Sequence, residues 1–145
     1  MNRGDYILQE LRSHVSGVTS FTSATILNEN TNNNTGDKTT VYLYIIKETL
    51  IEASENYSMR IYSVDVGVRL KKTIKLKTSG SAWRNDAIDK LENCIYNFAT
   101  RNTTDTGRTF HLGAAHLQEI AGYFDDARTN ADADAIIRIK VTQEN

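Results

Sequence analysis

Proline is absent from the chain, against an average near 5% in proteins, and no linker-like stretch divides it. Cysteine occurs once, at Cys94, which excludes an internal disulfide and every multi-cysteine zinc motif. An excess of one charge is missing too. Seventeen Lys and Arg against 18 Asp and Glu leave a net charge of −1, so no global field draws the chain to nucleic acid or to an anionic membrane. No apolar run approaches the roughly 20 residues of a membrane span, and Met1-Asn2-Arg3-Gly4-Asp5-Tyr6 has no apolar signal core. Together these features predict a protein made and kept in the cytosol, without a membrane partner.

Catalytic signatures are scarce. There is no Gly-x-Ser-x-Gly elbow and no glycine-rich phosphate loop, since Ser79-Gly80-Ser81 is too short a match. His111 and His116 are five residues apart, the wrong spacing for two ligands on one helical face. Asp125, Asp126, Asp132 and Asp134 lack the glycine and closing glutamate of an EF-hand loop. A nuclease centre built from Asp65, Asp134 and Lys140 has no support in their spacing. No catalytic, cofactor-binding or metal-binding residues are expected.

What is present is a chain of 145 residues, 39% hydrophobic, read as a single structural domain over 1–145 that can bury about two-thirds of its unfolded surface. Ile7, Leu8, Leu11 and Val15 recur at helical spacing and predict a short helix over 4–15, ended by Gly17. Residues 18–27 are β-rich in composition. The polar run from Asn28 to Lys38 predicts a turn or extended loop. Residues 39–46 are apolar or aromatic on both faces, so the strand they form is covered on both sides. Helices of the domain are one cover; the other is a second subunit or the monomer itself.

The clearest pattern runs from 62 to 77. Tyr62, Val64, Val66, Val68, Leu70, Ile74 and Leu76 take even positions, and polar residues or Gly67 take the odd ones. Sixteen residues of strand would reach about 53 Å, against a radius of gyration near 15 Å for such a domain. The strand is therefore expected to bend, with a bulge at Gly67, and to project in part. Trp83, Ala87, Leu91, Ile95 and Phe98, widened by Ile88 and Cys94, predict a helix over 81–100 with Cys94 in the core, Ser81 as cap and an Asp86–Lys90 pair. Residues 110–124 fit helix and strand alike. Ala133, Ala135, Ile137, Ile139 and Val141 alternate with polar residues in a terminal strand. Arg69, Lys71, Lys72, Lys75 and Lys77 form a basic group that discourages stray edge pairing or, alternatively, contacts a protein or nucleic acid, the latter as in a small nucleic-acid-binding module.

The order of these elements resembles the tail terminator (tail-completion) proteins of long-tailed bacteriophages and related neck proteins. The likeness is carried by Ile7-Leu8-Gln9-Glu10-Leu11, Val41-Tyr42-Leu43, Val64-Asp65-Val66-Gly67-Val68 and Ala133-Asp134-Ala135-Ile136-Ile137-Arg138-Ile139-Lys140-Val141. It implies an α+β fold: a mostly antiparallel sheet with a long β-hairpin and two helices packed on one face. It also implies a non-enzymatic virion protein without cofactors, most often a hexameric ring at the head–tail junction. Such a ring ends the tail tube, joins it to head-connector and neck proteins, and lets genome DNA pass without reading it. Head-completion and tail-tube proteins are the neighbouring alternatives. The candidate interface residues are Asn30, Asn32 and Asn34 of the polar loop, Tyr42 and Tyr44 of the two-faced strand, and Arg69, Lys71, Lys75 and Lys77.

Overall fold

A computed structural model describes residues 2–17, 25–27, 39–73, 77–98, 101–105, 107–125 and 130–145. The elements are helix α1 (Arg3–Gly17), strands β1 (Thr25–Leu27), β2 (Thr40–Ala53) and β3 (Met59–Thr73), helix α2 (Lys77–Tyr96), and strands β4 (Arg101–Asp105), β5 (Arg108–Asp125) and β6 (Asn130–Glu144). The six strands form one sheet in the order β1-β2-β3-β6-β5-β4. Only the β1–β2 pairing is parallel. The fold is α+β, a mostly antiparallel sheet carrying both helices on one face. No helix among the described residues is long and apolar enough to cross a membrane.

Period-two patterning decides which face the helices cover. Val64, Val66, Val68 and Leu70 of β3 and Ala133, Ala135, Ile137, Ile139 and Val141 of β6 are all buried in one apolar core. Tyr6, Ile7, Leu8, Leu11 and Val15 of α1 and Ala87, Leu91, Cys94 and Ile95 of α2 close it from above. The helices are tied to each other where α2 runs out. Its last carbonyls lack partners in the helix, and His14 Nε2 donates to the Cys94 carbonyl at 2.7 Å while its ring meets the edge of Phe98. Tyr6 stacks on Phe110 with ring centroids 5.2 Å apart. Burial pushes the Cys94 thiol up to about 11, so it stays neutral and inert as a core residue. Asp86 and Lys90 pair at 2.7 Å, as the spacing predicts.

Three expectations are corrected. The long strand ends at Thr73, and Lys77 already opens α2, so this helix runs over 77–96 rather than 81–100; residues 74–76 lie outside the described ones. Gly67 is not a bulge. β3 pairs with β6 without interruption from Met59↔Glu144 to Thr73↔Asn130, so the 15-residue strand of roughly 50 Å is accompanied along its whole length. The bulges fall on its neighbours: Ile46 and Ile51 are the extra residues of β2 against β3, and β5 is shifted twice against β6, between Leu112 and Ala115 and between Leu117 and Glu119. Finally, the ambiguous segment 110–124 is wholly strand. Gly122 brings it against α2, where an added Cβ would lie 2.7 Å from Ile88 Cδ1.

Candidate interaction surfaces

The face of the sheet turned away from the helices gathers four of the residues singled out from the sequence. Tyr42 stands beside Arg69, Tyr44 beside Gly67, and Lys71 beside Asp132 in cross-strand register. Tyr42 has no exposed surface although it lies outside the helix-covered core, so the chain itself supplies the second cover of this strand. Tyr44 is half-buried because its ring lies flat over the missing side chain of Gly67, whose Cβ would come within 2.2 Å of the ring. A cavity of about 180 Å³ follows, lined by Tyr44, Glu119, Ala121, Tyr123, Asp134 and Ile136.

Charge on this face is paired internally. Arg69 reaches Asp132 at 3.5 Å and Asp134 at 3.3 Å, while Asp65 accepts from Arg138 at 2.9 Å. The bond from Arg138 holds the Asp65 carboxyl below its ordinary value. Burial raises Asp134, with Arg69 opposing and Asp132 adding to the rise. Burial likewise raises Tyr44, with Asp134 adding. Arg69 is thus one cation between two carboxylates: its Nη2 donates a long hydrogen bond to Asp132 Oδ2, while its Nε faces Asp134 without an aligned one.

The consequence is testable. Replacing Arg69 with methionine removes the cation between Asp132 and Asp134, and should cost about 1–3 kcal/mol at pH 7, below the full cost of breaking a buried pair because the site is partly exposed. An Asp whose folded pKa is raised opposes folding once ionised, so lowering the pH toward 5 should return part of the loss. Urea midpoints at the two pH values measure this; an equal penalty at both would refute it.

Asn30, Asn32, Asn34 and Lys75 lie outside the described residues, and Lys77 sits in the first turn of α2. Among the described residues no group of three or more His, Cys, Asp or Glu side chains is placed to hold a metal.

A second surface was missed by sequence reasoning. Of the exposed large apolar residues, Ile46, Leu50, Ile51, Tyr57 and Met59 all belong to the β2–β3 hairpin. β1 pairs only with Thr40–Tyr42, so from Leu43 to Ala53 the outer edge of β2 meets no strand among the described residues. On the opposite side of the sheet, β4 pairs β5 only as far as Leu112. The hairpin turn is closed by its own side chains. Asn56 Oδ1 accepts from the Ser58 amide at 3.1 Å and from the Ser54 and Ser58 hydroxyls, and Ser54 Oγ accepts from the Met59 amide. Tyr57 is held there at φ 56° and 63% exposed, a left-handed conformation that costs a side-chain-bearing residue about 1–2 kcal/mol. An aromatic ring presented to solvent from a strained backbone makes this hairpin a candidate contact surface. The apolar doublets Ile45-Ile46 and Leu50-Ile51 are the signal that could have revealed it, because each breaks the alternation where a bulge occurs.

No protein-family model matches the sequence, and no curated protein matches it. Among solved structures, a chain of the virion of a native gene transfer agent particle has the same fold. It superposes with a TM-score of 0.55 over 96% of this chain and 92% of that one, at 12% identity. At that identity the likeness is one of fold.

Proposed function

We propose that the chain is a non-enzymatic structural protein of a phage-like virion, which forms a closed ring at the head–tail junction, ends the tail tube there and joins it to the head connector. The observation that carries the reading is the shared fold with a chain of a gene transfer agent virion, nearly end to end on both sides. The order of elements in the sequence supports the same class independently. A ring needs two different surfaces on opposite sides of each subunit, so that head-to-tail contacts close on themselves. The edges of β2 and β5 that no described strand covers, the first with its apolar residues and the second with exposed Tyr123, are suited to those roles, with strand addition as the mode of contact. The pairing of Arg69 with Asp132 and Asp134 weighs against the alternative of a nucleic-acid module built on the basic strand.

The mass of the purified chain in solution, followed by negative-stain imaging, tests this. A discrete closed ring, alone or after addition of isolated tail tubes or heads, is the expected result. A monomer under all of these conditions would overturn it.

A further inference from the structure

The cavity on the outer face of the sheet borders β5, where Glu119, Ala121 and Tyr123 follow one another on that face beside Ile136, Asp134 and Asp132 of β6. The small Ala121 leaves room between a carboxylate and an aromatic ring that is 59% exposed. Glu119 is exposed and forms no ion pair among the described residues. A hollow with a carboxylate and a tyrosine at its rim and Ile136 in its lining suits the ammonium and methylene stem of a lysine.

The opposite edge carries such a lysine. Lys47 is exposed on the outer face of β2, within the stretch Leu43–Ala53 that no described strand borders. It lends its charge to Asp65 across the β2–β3 pair, but Asp65 is already bonded by Arg138. Lys47 cannot reach Glu119 of its own chain. β3 and β6 lie between their strands, a separation of about 14 Å.

A second copy can bring them together. The pairs β2–β3, β3–β6 and β6–β5 are all antiparallel, so β2 and β5 run in opposite directions. A copy in the same orientation therefore lays its β2 antiparallel to β5, and the outer face of one sheet continues into that of the next. Leu43–Ala53 and Ala115–Asp125, the parts beyond β1 and β4, then match nearly end to end. With Lys47 of the second copy opposite Ala121, its Thr49 falls beside Glu119, its Leu50 beside Leu117 and its Glu52 beside exposed His116. The register slip at Ile51 lies next to the slip at Gln118, and the two cancel. Moved two residues toward the hairpin, Ala53 would run into Leu112, which β4 already holds. In its own copy Lys47 shares a row with Arg138, and Ala121 shares one with Asp134, so the copies are offset by the step from Asp134 to Arg138. That offset is about 13 Å over four strands spanning about 19 Å, an inclination near 35°, as in closed sheets.

From this match we infer that Lys47 of a second copy enters the cavity between Glu119 and Tyr123 and fixes the register in which β2 of one copy adds to β5 of the next. The inference rests on the ring reading and adds to it one register and one ion pair.

The test is carbodiimide coupling of the full chain, as an equal mixture of isotope-labelled and unlabelled copies under the assembly conditions above. This chemistry joins a lysine only to a carboxylate in direct contact. An amide between Lys47 and Glu119 that links labelled to unlabelled peptides is the expected product. Charge reversal supplies the second measurement. Lys47→Glu and Glu119→Lys, both at exposed positions, should keep the melting temperature and each weaken association about tenfold or more through like-charge contact. The two together should restore it, read by native mass spectrometry. Rings that lack the Lys47–Glu119 link, or a double variant no better than the single ones, overturn the inference and leave the ring standing. The link in open assemblies upholds the contact and overturns closure of the ring. Monomers without the link under every assembly condition overturn both.

Discussion

Alanine at Gly67 should destabilise the fold by about 1–3 kcal/mol, the usual cost of overpacking, or roughly 3–10 °C in melting temperature for a chain of this size. The reason is a single close approach. The Tyr44 ring lies across the β3 backbone, and an added Cβ would stand 2.2, 2.5 and 2.7 Å from three of its carbons. The ring must leave, and with it goes part of the cover over the sheet's outer face. Elsewhere in a strand interior the same change would be favourable, because glycine costs about 0.5–1 kcal/mol relative to alanine through its backbone freedom. The sign therefore depends on Tyr44. With Tyr44→Ala already in place, Gly67→Ala should become neutral or stabilising. A double-mutant cycle on thermal or urea unfolding gives the coupling, expected at about 1–3 kcal/mol. Equal effects of Gly67→Ala with and without Tyr44 would show that the contact does not govern the position.

This contact also shows why the sequence was legible in some places and not in others. In β3 and β6 the register is unbroken, so buried residues recur strictly at every second position and the alternation can be read directly. The identity of α1 was equally plain, because its buried set, Tyr6, Ile7, Leu8, Leu11 and Val15, keeps a helical period. In β5 the two register shifts insert residues between Leu112 and Ala115 and between Leu117 and Glu119. The positions facing the helices become Phe110, Leu112, Ala115, Leu117, Ile120 and Gly122, at steps of two and three. That mean period lies between strand and helix, and either template matches. β2 hides itself in the same way, with Val41, Leu43 and Ile45 followed, after the bulges, by Glu48, Leu50 and Ala53 on the same face. Gly67 invited a bulge because glycine in a strand has two common uses, an extra residue or a close approach. Only the position of Tyr44 across the pair decides which. The candidate site was legible where charge and aromatics share a face, in Tyr42, Tyr44, Arg69 and Lys71. The apolar hairpin was open to reading only through the doublets Ile45-Ile46 and Leu50-Ile51, because which residues the sheet leaves at an edge is set by strand pairing.

The largest effect expected on assembly comes from the β2 edge. Ile51 is 60% exposed and Leu50 48% exposed in the single chain, so Ile51→Asp should change monomer stability by no more than about 0.5 kcal/mol, as for most surface positions. In a subunit contact the same carboxylate would be buried against apolar surface without a partner, at a cost of several kcal/mol. Each 1.4 kcal/mol is tenfold, so the loss is a hundredfold or more per contact, and in a closed ring every contact suffers it. The variant should run as a folded monomer with an unchanged melting temperature. Tyr57→Gly supplies an internal control of opposite sign. Glycine relieves the left-handed backbone at φ 56° and should raise monomer stability by about 1 kcal/mol, yet it removes the exposed ring and should weaken association. A variant that is more stable and assembles less well cannot be explained by damage to the fold. Native mass spectrometry across a concentration series, paired with melting curves, reads both quantities. Wild-type assembly in both variants would remove this edge from the interface.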